Sequence, residues 1–587
     1  MYFSGLLRRI KTAVMLLCPL TVITACGEEA GTIVEDPRLV EIPRQLESPW
    51  KGAGLEFSML EEWVNTPSCL QTPARFLACI AAVQTLLDTS PRALQLVHTS
   101  WLSNSDTAYR GKRRFGEVVV AEVAQEAHAN VLDEIRARRK RILDWQAIYL
   151  NSALLQADFT GLLEWARKEL IGPGEEEHYT ATAFNGYLGV EDAHAQIVPA
   201  PVPADAAARH AAGGLPENNA HSYTGIGASL HALAGSIIIM GIVPESPAAA
   251  AGVMASDVVL AVDGQPVAGK SVPEVVAMLR GVEGTEVSLR LQRQKRVYET
   301  RLHRSTVNIR NVSSSVLDDR DRSRGYLRIV SFNSETTCAD TRRELHALVN
   351  SGVEGILLDL RDNSGGLVDQ AVCVADLFFE PRVLVLEIRS TQHRGQSTPL
   401  YSRQPAMTQV PLVTLVNAAT GSASEALAGA LQDHGRSLII GERTFGKGTI
   451  QTLRPWNDSG SIMLFSTTAR MYTPAGRTAQ LAGIEPDLRV MAQDGDPQPG
   501  RTILREEDIF PTALPSSGTR PGRRPYRHLA GIEACLESEG LAGSRRSQRL
   551  SSSAVRDYPR AVGYDVLHCL DTVGNGQPEE LRLAGPR

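Results

Sequence analysis

The middle of the chain alternates between short apolar runs and amphipathic segments, and this alternation restricts the fold more than any other feature. Segments with helical spacing near residues 336–350, 367–379 and 422–433 separate apolar runs of strand length. Strands that alternate with helices build layers, because each helix must bury its apolar stripe against the sheet. We therefore predict an α/β core. Its buried strands are predicted at residues 326–332, 355–360, 383–388, 412–416 and 437–440.

The flanking segments have other patterns, so the chain of 587 residues is predicted to be a multidomain α+β protein. A hydrophobic content of 43% is enough to bury several cores, which excludes wholesale disorder. The N-terminal region shows mainly helical spacing, followed by an Ala- and Pro-rich loop or hinge, a segment of short strands and turns, the α/β core and a polar, Pro-rich extension. The predicted boundaries of these five segments are 51–195, 196–221, 222–304, 305–490 and 491–587.

The first 25 residues have the features of an export signal. Arg8, Arg9 and Lys11 precede an apolar run that is too short to span a bilayer. The run leads into Cys26, and this junction resembles a bacterial lipoprotein box, in which the cysteine is lipidated after cleavage. The resemblance implies a signal peptide over 1–25 and a periplasmic lipoprotein held in the cell envelope only by its lipid, and the polar, Pro-containing residues that follow indicate a tether over 26–50. An ordinary signal peptide that is cleaved nearby is the alternative. Gly27 after the cysteine favours the outer membrane.

Six cysteines remain beyond the export segment, and they fall into three pairs that are close in sequence. An even number of cysteines in an oxidising compartment indicates disulfides, although six cysteines allow fifteen connectivities. Proximity favours Cys69–Cys79, Cys338–Cys373 and Cys535–Cys569. No pair has metal-ligand spacing with a nearby histidine, so no metal site is predicted. A net charge of −6 and an aromatic content of 5% argue against a nucleic-acid partner.

One predicted strand, Leu412–Val416, runs into a helix through a turn of small residues that ends at Ser422. A tight strand-to-helix turn exposes a nucleophile and leaves backbone N–H groups and the positive end of the helix beside it. Serine is also a good helix cap, and Ser422 with Glu425 fits a capping box, so the turn by itself leaves both interpretations open.

A lysine follows 25 residues after this serine. Lys447 lies between two glycines and is the only lysine beyond Lys295, where every other strongly basic side chain is arginine. A general base has to lose its proton, which a desolvated lysine can do and an arginine cannot. Gln451 would share a face with Lys447 in an extended segment and could orient the amine. A surface lysine in a glycine loop is the alternative.

The segment of short strands resembles a PDZ domain of the kind found in bacterial proteases. The likeness rests on Gly225-Ile226-Gly227-Ala228 and on the strand and turn that run from Asp257 to Gly264. A glycine-containing loop before an open strand exposes N–H groups, which can hold a C-terminal carboxylate while the peptide adds to the sheet as a strand. The resemblance implies that Gly225, Ile226, Gly227 and Ala228 bind the C-terminal tail of a protein substrate.

The ordered set of motifs resembles the C-terminal processing peptidases, or tail-specific proteases, over roughly residues 185–490. The motifs are the PDZ-like segment, residues 359–366, 422–425 and 444–448, and the later runs at 472–477 and 483–487. The family pattern implies a crotonase- or Clp-like layered core that needs no cofactor. It implies Ser422 as nucleophile, Lys447 as general base, Gln451 as its orienting partner, and the N–H of Ala423 with that of Gly365 or Gly366 as oxyanion hole.

The resemblance extends to two further positions and to the substrate. Asp192-Ala193-His194 matches a family motif with an expected structural role, and Asp433 matches a position that is often acidic. The implied substrates are proteins or peptides with unstructured, apolar C-termini. Whether an adaptor activates the enzyme, and which substrate it cleaves, stays open.

Two other classes compete with this interpretation. Residues 362–366 resemble the nucleophile segment of chymotrypsin-like proteases, with Ser364 as nucleophile, but that site needs a histidine and an aspartate in a two-barrel β fold. A catalytically dead envelope scaffold that binds C-termini through its PDZ domain is the second alternative.

Overall fold

The structure is a computed structural model. It describes residues 50, 53–89, 94–102, 109–123, 140–141, 144–150, 156–199, 222–233, 236–243, 246–254, 257–267, 272–293, 296–308, 311–319, 322–393, 395–491, 505–509, 526, 528–538 and 557–574. The signal peptide and the tether predicted for residues 1–50 lie outside the described residues, except for Trp50.

The N-terminal region is mainly helical, as predicted, and shares one apolar core. Helix α3 packs along α5, and Phe76 and Phe184 are fully buried between the elements of this core. The helices are α1 (Phe57–Trp63), α2 (Thr66–Cys69), α3 (Pro73–Thr89), α4 (Phe159–Leu170) and α5 (Glu176–Glu191).

The same region also contains a small antiparallel sheet that the sequence analysis did not predict. Its strand order is β1-β3-β2, and Val118 and Val120 of the central strand turn inward to the core. The strands are β1 (Leu94–His98), β2 (Tyr109–Phe115) and β3 (Val118–Val123). The segment predicted as a hinge begins instead with a strand, β4 (Gln196–Pro199), and residues 200–221 lie outside the described part.

The next unit has the elements predicted for residues 222–304. Its main sheet has the order β11-β10-β8-β7-β6, so β6 is an edge strand, and helix α7 lies beside it. A two-stranded ribbon, β5 with β12, closes the unit. The elements are β5 (Ser222–Gly225), β6 (Ala228–Leu233), β7 (Ser236–Ile242), α6 (Pro247–Ala250), β8 (Val258–Val262), β9 (Gln265–Pro266), α7 (Val272–Leu279), β10 (Glu286–Arg293), β11 (Arg296–His303) and β12 (Ser305–Asn308).

The core is a six-stranded sheet with the order β13-β14-β15-β18-β19-β22, in which every pair after β13-β14 is parallel. Ile356 and Leu358 pack with helices α8, α9 and α10 on one face, whereas Leu357 packs with α12 and α13 on the other. The elements are β13 (Val312–Asp319), β14 (Arg322–Ile329), α8 (Thr337–Asn350), β15 (Gly355–Asp359), α9 (Val368–Ala375), β18 (Leu412–Val416), α10 (Ala423–Asp433), β19 (Leu438–Gly441), β22 (Leu488–Arg489), α12 (Leu529–Ser538) and α13 (Tyr558–Gly574).

The C-terminal extension is therefore part of the core rather than an appendage. Helices α12 and α13 pack on one face of the sheet, and Arg361 pairs with Asp557 at 2.6 Å and with the buried Asp359 at the end of β15. Burial alone would raise the pKa of Asp359, but Arg361 and Arg328 hold that pKa below its ordinary value. This ion network ties the start of α13 to the loop that follows β15.

A second sheet has the order β17-β16-β21-β20, and β4 pairs with the far end of β21. It carries the segment that follows Lys447. Its strands are β16 (Leu384–Ser390), β17 (Ser397–Tyr401), β20 (Thr449–Pro455) and β21 (Ile462–Tyr472). One further short helix, α11 (Glu506–Ile509), belongs to the C-terminal extension.

Three disulfides join the pairs that the sequence analysis favoured. Their Cα–Cα distances of 5.7 to 5.9 Å fit ordinary disulfide geometry. The bonds are Cys69–Cys79 between α2 and α3, Cys338–Cys373 between α8 and α9, and Cys535–Cys569 between α12 and α13. Among the described helices, none combines the length and the apolar character that crossing a membrane requires.

Candidate active site

Ser422 is the last residue of a strained turn between β18 and helix α10. Its backbone has φ 55° and ψ −119°, a conformation that residues with a side chain rarely adopt. The turn is fixed by the buried Thr420, whose hydroxyl donates to the carbonyl of Leu360 at 2.9 Å, and by the N–H of Gly421, which donates to the carbonyl of Asn363 at 2.9 Å. Ser422 itself stays partly exposed, so a substrate can reach its hydroxyl.

The loop of Gly365 and Gly366 runs directly beside this serine. A Cβ atom on Gly365 would lie 2.7 Å from the Cβ of Ser422 and 2.9 Å from the backbone nitrogen of Ala423, so only glycine fits. The N–H of Gly365 donates to Asn363 Oδ1 at 3.0 Å and is therefore engaged. The N–H groups of Gly366 and Ala423 donate to no acceptor in the part of the chain that the structure describes. Two donors are thus available beside Ser422, which is what an oxyanion hole requires.

Lys447 lies in the loop between β19 and β20. Burial lowers the pKa of its amine, while the negative charges of Glu506, Asp192 and Glu425 act in the opposite direction. Within the described residues, its Nζ atom has no hydrogen-bond or ion-pair partner. A lysine with these surroundings can exist as a neutral amine, the form that a general base needs.

Glu425 connects the serine turn to the lysine loop. Its carboxylate is fully buried in the first turn of α10, and Oε2 accepts the backbone N–H of Ser422 at 2.8 Å and that of Lys447 at 2.9 Å. Oε1 accepts the N–H of Gly446 at 2.8 Å and the hydroxyl of Thr444. Burial raises the pKa of Glu425 to about 7, against the hydrogen bonds that lower it. A single side chain therefore brings Ser422 and Lys447 together.

Gln451 lies on β20, and its hydrogen bonds go to two threonines rather than to Lys447. Its amide donates to Thr449 Oγ1 at 2.9 Å and to Thr467 Oγ1 at 3.3 Å, and no hydrogen bond joins it to the lysine among the described residues. Thr467 donates in turn to Asp192, at 2.8 Å from its hydroxyl. The Asp192-Ala193-His194 segment thus borders the site from the N-terminal region.

Asp433 and Ser364 are the other residues that the sequence indicated. Asp433 pairs with Arg477 and accepts the N–H of Ala475 at 2.9 Å, which holds the turn after β21. Ser364 is exposed, and its side chain makes no hydrogen bond to a histidine or an acidic residue in the described part. No group of three or more potential metal ligands occurs there either.

The structure also places a residue at the site that the sequence analysis did not single out. Glu506, at the start of α11, is fully buried and acts electrostatically on Lys447. It lies in a polar extension of the sequence that has no motif. Its partner His194, whose Nε2 lies 2.7 Å from Glu506 Oε1, is more than 300 residues away in the chain. No local signal could have found it.

The predicted tail-binding loop precedes edge strand β6. Its carbonyls are engaged, since Ile226 and Gly227 accept the N–H groups of Ala248 and Val243, both at 2.8 Å. The ring of Tyr223 lies against the loop with the Arg280 guanidinium over it at 5.4 Å. Arg280 Nε is buried and lacks a hydrogen-bond partner among the described residues.

Comparisons with known proteins match the same parts of the chain. The model of peptidase family S41 matches residues 323–490, and a PDZ domain model matches residues 238–293. The carboxy-terminal-processing protease of Bartonella bacilliformis is 32% identical over 343 residues, which cover 57% of this chain and 74% of that protein.

The carboxy-terminal processing protease CtpA of Bacillus subtilis is 34% identical over 274 residues, covering 46% of this chain and 57% of that protein. Among solved structures, a photosystem II D1 C-terminal processing protease is 26% identical with a TM-score of 0.43 and covers 62% of this chain and 94% of that chain.

Proposed function

We propose that the chain, which belongs to the carboxy-terminal-processing protease family and carries a PDZ domain, is a serine endopeptidase with a Ser–Lys site. One observation carries this proposal: the carboxylate of Glu425 accepts the backbone N–H groups of both Ser422 and Lys447. The nucleophile and the base are separated by 25 residues in sequence, and this shared acceptor supports their acting as a pair.

In the proposed reaction, the neutral amine of Lys447 takes the proton of the Ser422 hydroxyl as the oxygen attacks the substrate carbonyl. The developing oxyanion accepts hydrogen bonds from the N–H groups of Ala423 and Gly366, each of which is worth about 3 kcal/mol of the barrier. Lys447 then returns the proton to the leaving amine, and water hydrolyses the acyl-enzyme in a second, equivalent step. Gln451 would support this site indirectly, through its hydrogen bond to Thr467.

Substrate recognition is proposed to depend on the C-terminal tail. The open edge of β6 can accept a peptide as an added strand, and the loop from Gly225 to Ala228 lies at the end of that strand. A carboxylate there would supply an acceptor for Arg280 Nε, which is buried and has no hydrogen-bond partner in the part of the chain that the structure describes. The partners are therefore proteins or peptides with an unstructured, apolar C-terminus.

We further propose that the chain is exported and anchored at Cys26, with its folded part in an oxidising compartment. Three disulfides in the described residues support this location, because disulfides persist in the bacterial periplasm and are rare in the cytosol. The outer membrane is the proposed site of the anchor, from the glycine that follows Cys26.

A cleavage assay on the mature protein tests the proposed function. The substrate is an unfolded protein with an apolar, free C-terminus, compared with its C-terminally amidated twin, and the controls are Ser422→Ala and Lys447→Ala. We expect the wild type to cleave the free-tail substrate faster and both variants to be inactive. Cleavage by Ser422→Ala would refute the site, and tail binding without any turnover by the wild type would favour the scaffold alternative.

A further inference from the structure

We propose that Glu506 is a positioning residue that orients Lys447 and stabilises its ammonium form, so that the C-terminal extension completes the catalytic site. This inference rests on the proposed Ser–Lys function. It concerns a residue outside the segment that the peptidase model matches, which ends at residue 490.

The start of the described part of the C-terminal extension is hydrogen-bonded to the loop that carries Lys447. Arg505 donates from Nη1 to the carbonyl of Thr444 at 2.7 Å, and the N–H of Glu506 donates to the carbonyl of Phe445 at 3.2 Å. These two bonds attach residues 505 and 506 to consecutive residues of the loop, two and three positions before Lys447. We call residues 505–506 the C-terminal clamp.

The carboxylate of Glu506 has one oxygen engaged and one open. Oε1 lies 2.7 Å from His194 Nε2 and accepts a hydrogen bond from Gln480 Nε2 at 3.4 Å. Gln480 also reaches the loop itself, because its Oε1 accepts the N–H of Gly448 at 2.9 Å. Oε2 is buried and has no hydrogen-bond partner among the described residues. A buried carboxylate oxygen without a protein partner is free to accept a hydrogen bond from a cationic group.

The protonated side chain of Lys447 is the partner that the charges favour. Glu506, Asp192 and Glu425 are the acidic groups that act on the lysine, with Glu506 the strongest, and His194 faces Glu506 from the N-terminal region. When Lys447 takes the Ser422 proton, a buried ammonium forms. A carboxylate nearby stabilises that cation, and it raises the pKa of the amine against the effect of burial.

The closing experiment compares Glu506→Gln with the wild type by two readouts. The first is the pH dependence of kcat and kcat/KM for tail cleavage. The second is direct titration of Lys447 by carbon-13 NMR of labelled lysine, in which the resonance is assigned by its absence in Lys447→Arg. The chain has only eight lysines, so the spectrum is simple. Glu507→Gln is the matched control, since its side chain is 45% exposed and pairs with Arg443.

In Glu506→Gln we expect the Lys447 resonance to titrate at lower pH and the acidic limb of the rate profile to move to lower pH. We expect kcat to fall by less than the roughly hundredfold that general-base catalysis is worth, with KM unchanged. Glu506→Asp keeps the charge, so it should restore the position of the acidic limb. Glu507→Gln should match the wild type.

An unchanged Lys447 titration in Glu506→Gln would overturn the proposal, even if the variant melted at a lower temperature, because a purely structural role does not move that titration. If Glu506→Gln failed to fold, the NMR titration of Lys447 in Glu506→Asp would carry the test, and a shift of that titration to lower pH although the negative charge is kept would overturn the ammonium-stabilising role. The NMR titration needs no turnover, so it remains decisive if the protease proposal itself fails.

Discussion

Replacing Glu425 by glutamine should make the stability of the protein less dependent on pH between about 4.5 and 7. The carboxylate is fully buried, and burial raises its pKa to about 7, whereas an ordinary glutamate titrates near 4.5. The folded state therefore holds this proton more tightly than the unfolded state. The stabilisation that this carboxyl contributes is greatest below pH 4.5, where both states are protonated, and it is lost as the pH rises towards 7.

The magnitude follows from the interval between these two pKa values, which corresponds to about 3 kcal/mol of folding free energy. Glutamine cannot ionise, so the variant lacks this loss. The Glu425→Gln variant is also destabilised at every pH for a separate reason. If the amide oxygen of glutamine accepts the N–H groups of Ser422 and Lys447, its NH₂ group cannot accept the N–H of Gly446. One unpaired buried N–H costs about 1–3 kcal/mol.

The assay is thermal unfolding at pH 5 and pH 8 in a Ser422→Ala background, which removes self-cleavage. The melting temperature of the parent should fall by several degrees more over this interval than that of Glu425→Gln. Glu62→Gln, an exposed glutamate on α1, is the control and should follow the parent. Equal pH dependence in the parent and in Glu425→Gln would refute the reasoning, because the buried proton would then make no difference.

Four further outcomes are expected. Gly366→Ala should lower kcat by roughly a hundredfold or more with KM little changed, as measured by steady-state kinetics, because the added Cβ would displace an oxyanion donor. Activity should rise from acidic towards mildly alkaline pH as the Lys447 amine loses its proton. The variant Lys447→Arg, which keeps the positive charge, should be inactive at every pH tested. Arg280→Gln should raise KM for the free-tail substrate and leave KM for the amidated twin unchanged, and equal effects on both would contradict carboxylate binding. Replacing Cys535 and Cys569 together by serine should destabilise the protein by about 3 kcal/mol in denaturant unfolding, since the bond closes a loop of 34 residues.

The sequence was most informative where the determinants are local. The strand Leu412–Val416, its turn and helix α10 follow from an apolar run, small residues and a helical spacing, and the structure has all three. The three disulfides each join cysteines no more than 35 residues apart, so proximity was a useful guide.

The sequence was least informative where contacts are distant. The expectation that Gln451 faces Lys447 assumed a regular strand, but a register shift in the pairing of β20 with β21 places Thr467 opposite Gln451, and the amide donates there. The burial of Glu506 depends on His194, which is 312 residues away. Helix α13 lies in the extension that the sequence characterises as polar and Pro-rich, and no local pattern reveals which surface that helix covers.

The position of α13 has a consequence for the order in which the protein matures. The helix belongs to the last stretch of described chain to leave the ribosome, and it covers apolar residues of the central sheet such as Leu357 and Val413. Helix α12 packs on the same face, so these residues lack the helices that bury them until both have been synthesised. A growing chain that already contains Ser422 and Lys447 therefore still exposes an apolar face of its central sheet, and the clamp at residues 505–506 is made before either helix.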